Sequence, residues 1–267
     1  MNAIETNNLS VGYGEKQIIR DLNIEIPEGK ITVILGANGS GKSTMLKTIG
    51  RILTPSKGSV LLEGEELYRI SSKQVAHRLA ILPQSPKAPQ GLTVFDLVRY
   101  GRFPYQRGIG ALITPEDEKI IMWALNVTRL TDLSTEHIEN LSGGQRQRVW
   151  IAMALAQQTR IILLDEPTTY LDISYQLEIM ELLDRLNKEQ HYTIVMVLHD
   201  LNLSARFADH IVVMNAGEVI CSGSPEQVMT ADTLRKAFHI EADIVEDKRT
   251  GKLCCISYHL LPETDTD

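Results

Sequence analysis

The stretch "ILGANGSGKSTML", residues 34–46, constrains this chain more than any other. An apolar strand end runs into a glycine-rich turn, and Lys42-Ser43-Thr44 opens a helix. Gly36 to Ser43 fits the pattern G-x-x-x-x-G-K-S/T. Glycines there let the backbone curl until several N–H groups converge on phosphate oxygens. The helix start adds its positive end. The contacting set read from this turn is Gly36, Asn38, Gly39, Gly41, Lys42, Ser43 and Thr44. Lys42 reaches for the β- and γ-phosphates, and the Ser43 hydroxyl is placed for Mg2+. Four specified positions recur by accident in roughly 1 % of chains of this size. The setting between a strand and a helix lowers that further.

Four short apolar runs, Ile31–Leu35, Leu79–Leu82, Ile161–Leu164 and Thr193–Leu198, are continuous rather than alternating. Continuous apolarity marks strands buried on both faces, as in a parallel sheet flanked by helices. The opening "AIETNNLSVGYGEKQIIRDLNIEIPEGK" reads instead as half-exposed antiparallel strands with a turn at Pro27–Gly29. Later hairpins are expected to turn at Asn215–Gly217 and near Arg249–Gly251. Between Gln84 and Asn140 the character is helical. Thr114 is the expected N-cap of a helix with Pro115 at its first position and acids in the first turn. Ile120, Ala124 and Val127, flanked by Ile121 and Leu125, form its apolar stripe.

The net charge of −7 disfavours a nucleic-acid partner, since no basic surface dominates. The three cysteines, Cys221, Cys254 and Cys255, form neither a metal spacing nor a disulfide framework, and the chain reads as cytosolic. No signal peptide opens it, and no apolar run nears the roughly 20 residues that span a bilayer. Any membrane part belongs to another chain.

A phosphate-holding turn alone does not name a reaction. The guanine-reading N-K-x-D pattern is missing, because Asn187-Lys188-Glu189-Gln190 lacks the Asp, so adenine is favoured. "RIILLDEPTTYLD" ends a buried strand on Asp165 and Glu166, where ligands sit in a parallel sheet. Asp165 is placed to complete the Mg2+ shell that Ser43 begins. Glu166 is placed to polarise a water as general base, an effect of about 10²–10⁴ in rate. Alone, the pair reads equally as a helix N-cap; beside the phosphate turn, the catalytic reading wins. His199 follows the next strand, either capping a helix or sensing the γ-phosphate and aligning the water with Glu166. Gln84 holds a third strand end, within reach of metal or water. Tyr13 either stacks on adenine or covers the core.

"ENLSGGQRQRVWIAMALA" supplies a second anion site: Ser142, with the N–H groups of Gly143 and Gly144, opens a helix whose expected buried side is Val149, Ala152, Met153 and Ala156. At this point the chain resembles the ATP-binding-cassette (ABC) ATPases over almost its full length. "GANGSGKST" resembles their P-loop, "LSGGQRQR" their signature and "IILLDEP" their Walker B strand. Gln84 is similar to the Q-loop glutamine, His199 to the switch histidine, Asp172 to the D-loop aspartate and Tyr13 to the adenine-stacking aromatic. Thr169-Tyr170-Leu171-Asp172 departs from the frequent Ser-Ala-Leu-Asp but keeps the aspartate.

The resemblance implies an α/β P-loop NTPase (RecA-like) core, with an N-terminal antiparallel β subdomain and an inserted helical subdomain. The expected extents are 1–84 and 159–225 for the core, 85–158 for the helical insert, and 226–267 for a C-terminal helix and β-hairpin. It also implies head-to-tail pairing of two copies, with ATP between the P-loop of one and Ser142–Gln145 of the other. A soluble ABC protein of repair or translation is disfavoured, having neither a long coiled-coil insert nor a second cassette here. A kinase leaves the signature turn unexplained. Residues 93–106, "DEPTTYLDISYQ" and "VLHDLNLSARFAD" resemble importers of iron–siderophore complexes and vitamin B12. That implies a homodimer under two membrane permease subunits at the cytoplasmic face of a bacterial membrane, fed by a substrate-binding protein. The cargo implied is ferric siderophore first, then haem or cobalamin. Tyr100, Arg102, Phe103 and Tyr105 either form a groove for a permease helix or pack inside the helical subdomain.

Overall fold

The computed structural model describes residues 1–106 and 113–261; parts of the expected helical insert and of the C-terminal extension, residues 107–112 and 262–267, lie outside the described residues. The chain opens with β1 (Asn2–Tyr13), β2 (Lys16–Pro27), β3 (Ile31–Gly36), α1 (Lys42–Ile49), β4 (Lys57–Leu62) and β5 (Glu65–Glu66). Then come α2 (Ser72–Ala76), β6 (Leu79–Leu82), α3 (Val94–Arg99), α4 (Pro115–Val127), α5 (Gly143–Ala156), β7 (Ile161–Asp165) and α6 (Ile173–Gln190). The last stretch holds β8 (Thr193–Val197), α7 (Leu201–Phe207), β9 (His210–Asn215), β10 (Glu218–Gly223), α8 (Pro225–Val228), α9 (Ala231–Phe238), β11 (Ile240–Asp247) and β12 (Lys252–Leu260). Contacts divide the chain into two compact units, residues 1–69 with 193–267, and residues 70–192.

In the first unit β1 is the hub of an antiparallel sheet ordered β2-β1-β4-β5. Burial alternates along the second half of β2, as expected for strands with one wet face. The Thr6 hydroxyl fixes the β1–β2 register by donating to Leu22 O and accepting from Ile24 N, each at 3.0 Å. β3 is buried at all six positions. It lies between β8 and β9, both parallel to it, with Val33 opposite Met196 on one side and Ile211 on the other. β10 returns antiparallel on β9, through the turn expected at Asn215–Gly217.

The C-terminal extension forms α9 and the hairpin β11–β12, which turns between Asp247 and Lys252 as expected. Leu234, Ala242 and Cys255 make its small core, with Leu201, Phe238, Ile240 and Ile244 packed around them. Asn202 of α7 clamps the hairpin. Its Oδ1 accepts from Cys255 N at 2.7 Å and its Nδ2 donates to Cys255 O at 3.1 Å. Burial pushes the Cys255 thiol up, so it behaves as an inert core group.

In the second unit β6 and β7 run parallel, Leu79 opposite Ile161 and Leu82 opposite Leu164. Their carboxyl ends therefore share one edge. Between residues 85 and 158 the described residues hold α3, α4, α5 and 3-10 turns, with no strand. Thr114 caps α4 in a full capping box with Asp117, and Pro115 holds the first position. Ile120, Ile121, Ala124 and Leu125 are buried as expected, while Val127, at the end of the stripe, is only half-buried. Burying each of the three larger ones contributes about 1.5–3 kcal/mol. α5 departs from its expected one-sided burial: Val149, Ala152 and Ala156 are buried but Met153 only half-buried, and Ile151, Ala154 and Leu155 are buried too. Helices α3 and α4 and the 3-10 turn at Tyr100–Tyr105 all pack on it, so its second half is covered on more than one face.

Candidate functional site

In the first unit the phosphate turn leaves β3 at Gly36, where only glycine fits. A Cβ there would lie 2.1 Å from the Met214 carbonyl oxygen, and φ is +150°. Gly39 and Gly41 continue the turn at φ +79° and +99°, also conformations that L side chains rarely adopt. Gly41 is the N-cap of α1 and has no side chain to satisfy the helix's first N–H groups. Those N–H groups are donors suited to an anion. The Ser40 hydroxyl oxygen is buried beneath the turn without a hydrogen-bond partner. Asn38 and Gly39 are exposed at the tip.

Lys42 is only 5 % exposed, and its Nζ donates to Gly36 O at 2.8 Å and Ala37 O at 2.9 Å. The ammonium is thus held over the loop rather than extended into water. Ser43 is half-buried and Thr44 is buried along the first turn of α1. Tyr13 stands at the end of β1, 49 % exposed, and does not cover the core. His199 is exposed between β8 and α7. Of its two sequence readings, the capping role falls to its neighbour: Asp200 Oδ1 accepts from Leu203 N at 2.7 Å.

In the second unit β6 and β7 deliver Gln84 and the pair Asp165–Glu166 to one edge. Gln84 Nε2 donates to Glu166 Oε2 at 2.6 Å. The Thr169 hydroxyl donates to the same oxygen at 2.9 Å. Glu166 itself sits at φ +53°, a conformation costly for a non-glycine residue and often kept where geometry serves chemistry. Asp165 is 3 % exposed at the strand end. Neither acid caps a helix. The cap of α6 is Asp172, whose Oδ1 accepts from Tyr175 N at 3.1 Å. Gln176 Nε2 pins the connecting loop through Leu171 O at 3.1 Å and Thr168 O at 3.4 Å. Thr169 was not singled out from the sequence as a partner of Glu166; its i+3 spacing from the acid was the available signal.

Ser142 is the N-cap of α5. Its hydroxyl accepts from Gln145 N at 3.2 Å while Gln145 Oε1 accepts from Ser142 N at 2.9 Å. This capping box fixes the turn and leaves Gly143 exposed on its outside. The two glycines differ. A Cβ on Gly144 would meet the Tyr175 ring at 2.5 Å, whereas one on Gly143 would meet nothing closer than Leu171 at 3.7 Å. Packing within the chain thus explains Gly144 but not Gly143.

In the 100–105 segment the internal-packing reading holds for Arg102 and Tyr105. Arg102 is 5 % exposed, ion-paired to Asp117 at 2.8 Å, bonded to Ala156 O and Gln158 Oε1, and stacked 3.8 Å over the Tyr105 ring. The Tyr105 hydroxyl donates to Gln157 O at 2.9 Å. Both side chains are committed inside the unit. Phe103 is 57 % exposed.

A phosphate turn on one strand, an acid pair on another and a glycine-bearing signature turn match one known family throughout. The family described as ABC transporter matches residues 19–169. The chain belongs to that family. It is an ATP-binding, ATP-hydrolysing cassette with the ABC ATPase fold: a P-loop NTPase core with an N-terminal antiparallel sheet. This ABC cassette is 55 % identical over 261 residues to the iron(3+)-hydroxamate import ATP-binding protein FhuC of Bacillus subtilis strain 168, covering 98 % of this chain and 97 % of that one. It is 44 % identical over 246 residues to the ferric enterobactin transport ATP-binding protein FepC of Escherichia coli K12, covering 91 % and 89 %. Among solved structures, the dimeric bacterial ABC transporter cassette MJ0796 superposes with a TM-score of 0.73 at 32 % identity, covering 83 % of this chain and 98 % of that one. Among the described residues no helix is long and apolar enough to cross a membrane.

Proposed function

We propose that this cassette is the ATP-hydrolysing subunit of an importer for ferric siderophores, working as a homodimer on two membrane permease subunits at the cytoplasmic face of a bacterial membrane. A substrate-binding protein delivers the cargo outside. The carrying observation is the 55 % identity, over 98 % of this chain, to an iron-hydroxamate import subunit. Relatives named for hydroxamate, petrobactin and enterobactin transport support iron chelates ahead of haem or cobalamin. In this reading the chelate itself never touches this subunit.

In the proposed site the N–H groups of Gly39, Gly41, Lys42, Ser43 and Thr44, with Asn38 and Lys42 Nζ, hold the phosphates of ATP, and Tyr13 stacks on adenine. The fit rests on the uncapped start of α1, the positive-φ glycines and the buried Ser40 hydroxyl. The Ser43 hydroxyl, the Asp165 carboxylate and the Gln84 amide oxygen are hard oxygen donors suited to Mg2+, which would neutralise charge on the phosphates. Glu166 acts as general base on the attacking water. Gln84 and Thr169 aim its carboxylate from one side, so its orientation does not wait for substrate. His199 holds the γ-phosphate and water in line. Ser142, Gly143, Gly144 and Gln145 of one copy close over the nucleotide of the other, and Asp172 meets the opposite copy beside them. ATP is then the latch between copies, and hydrolysis releases it.

The reading is tested with Glu166→Gln, whose amide keeps an oxygen for Gln84 and Thr169 but cannot take a proton. The variant is expected to bind Mg-ATP normally, lose about 10²–10⁴ of turnover and accumulate an ATP-bound dimer. Near-normal hydrolysis would remove Glu166 from the base role. For cargo, a strain lacking the gene is expected to lose growth on single ferric siderophores and keep growth on haem.

A further inference from the structure

Away from the nucleotide residues, the second unit carries a cleft of about 450 Å³ lined by Lys119, Ile120, Trp123, Gln158, Thr159, Arg160, Gln190 and Tyr192. It opens at the amino end of β7, beside Arg160, whereas Asp165 ends the same strand. Its volume lies in the range of small-molecule sites. Two cations line it and no carboxylate does. Glu116 pairs with Lys119 at 3.5 Å, but this is an exposed pair on the surface of α4 that leaves the cleft itself positive. Arg160 has no carboxylate in ion-pair range among the described residues, and its charge is felt by the buried Tyr192 phenol.

The apolar wall is aromatic. Trp123 stands off the buried stripe of α4, half-exposed, and Tyr192 is 9 % exposed. An indole and a guanidinium lining one cleft favour a planar, negatively charged occupant. Gln158 and Gln190 add amides that fix orientation, as polar groups do in mostly apolar sites. We propose that this cleft binds a small planar aromatic carboxylate, its ring against Trp123 and Tyr192 and its carboxylate on Arg160 and Lys119.

The site also has a route to the rest of the unit. Gln158, at φ +54°, already accepts from Arg102 Nη1 at 3.1 Å. Its neighbour Gln157 donates to Ala76 O at 2.7 Å and Leu79 O at 3.0 Å, holding the start of β6, whose far end leads to Gln84. An occupant bonded to Gln158 therefore acts on the junction that positions β6, and we expect it to change ATP turnover.

The experiment titrates salicylate into the full-length protein by isothermal calorimetry and two-dimensional NMR, with inorganic phosphate and cyclohexanecarboxylate as comparison probes. Saturable salicylate binding is expected, with shifts centred on Trp123 and Tyr192. Arg160→Ala and Lys119→Ala should each weaken it about tenfold, Arg160→Lys should recover part of the loss, and basal ATPase should be unchanged in all three. No saturable binding, binding unaffected by Arg160→Ala in a folded variant, or equal shifts of Trp123 and Tyr192 by phosphate or cyclohexanecarboxylate overturns the proposal. Turnover is expected to change about twofold at saturation; binding with unchanged turnover refutes the route through Gln158.

Discussion

Gly143 and Gly144 are adjacent, share one helix turn and have opposite structural reasons to be glycine, so replacing each with alanine separates a packing role from a nucleotide role. At Gly144 the new methyl would sit 2.5–3.1 Å from three carbons of the Tyr175 ring, including Cγ near its root. The ring cannot simply swing its tip away, and overpacking of this kind costs about 1–3 kcal/mol. At Gly143 the nearest atom is Leu171 Cδ2 at 3.7 Å, ordinary van der Waals contact, and φ is not positive. Alanine there costs the isolated chain nothing and gains up to about 1 kcal/mol of helix propensity. If the Gly143 N–H faces a γ-phosphate from another copy, however, a methyl beside it holds the phosphate off. Loss of one such donor corresponds to about 2.7–4 kcal/mol, or 10²–10³ in turnover. Urea denaturation without nucleotide should therefore find Gly144→Ala destabilised and Gly143→Ala at or above wild type. ATPase assays of the assembled transporter should find Gly143→Ala nearly inactive. In a Glu166→Gln background, light scattering with Mg-ATP should find Gly143→Ala monomeric. A stable Gly143→Ala protein that hydrolyses ATP at the wild-type rate would refute placing this turn on a nucleotide.

Arg102→Ala strands the nearly buried Asp117 carboxylate and removes bonds to Ala156 O and Gln158, so unfolding free energy should fall by about 3–5 kcal/mol. Asp117 is raised by burial but more strongly lowered by its bonds from Arg102 and Thr114, ending below 3.8. A depressed carboxylate contributes stability above its unfolded value and loses it on protonation. The gap between wild type and Arg102→Ala should therefore be full above pH 3.8 and shrink as pH falls below it, read by denaturation at stepped pH. Tyr13→Ala removes an exposed ring from a hairpin end, so stability should hold within about 0.5 kcal/mol while the KM for ATP rises about tenfold through lost stacking; an unchanged KM would remove Tyr13 from the adenine site.

The parts legible in the sequence were those where one residue type answers one local demand. Continuous apolar runs became β3, β6, β7 and β8, because a strand covered on both faces has no polar side to alternate. Thr114-Pro115 announced α4, because a capping side chain and a pre-set φ act within one turn. What escaped was decided by tertiary partners. The periodicity of α5 registers a single neighbour, whereas α3, α4 and the 3-10 turn all press on it. For Arg102 the sequence leaves groove and internal packing open until Asp117, fifteen residues on, and Ala156 enclose it. Thr169 shows no catalytic signature of its own and matters only because Glu166 holds a positive φ that turns its carboxylate toward both Thr169 and Gln84. The same contrast explains the signature turn. Ser142 and Gln145 satisfy each other as any capping box does, so they alone do not demand a ligand. Gly143 is the glycine that the chain's own packing leaves unexplained, and under the function proposed above a phosphate approaching that exposed helix start would supply the reason.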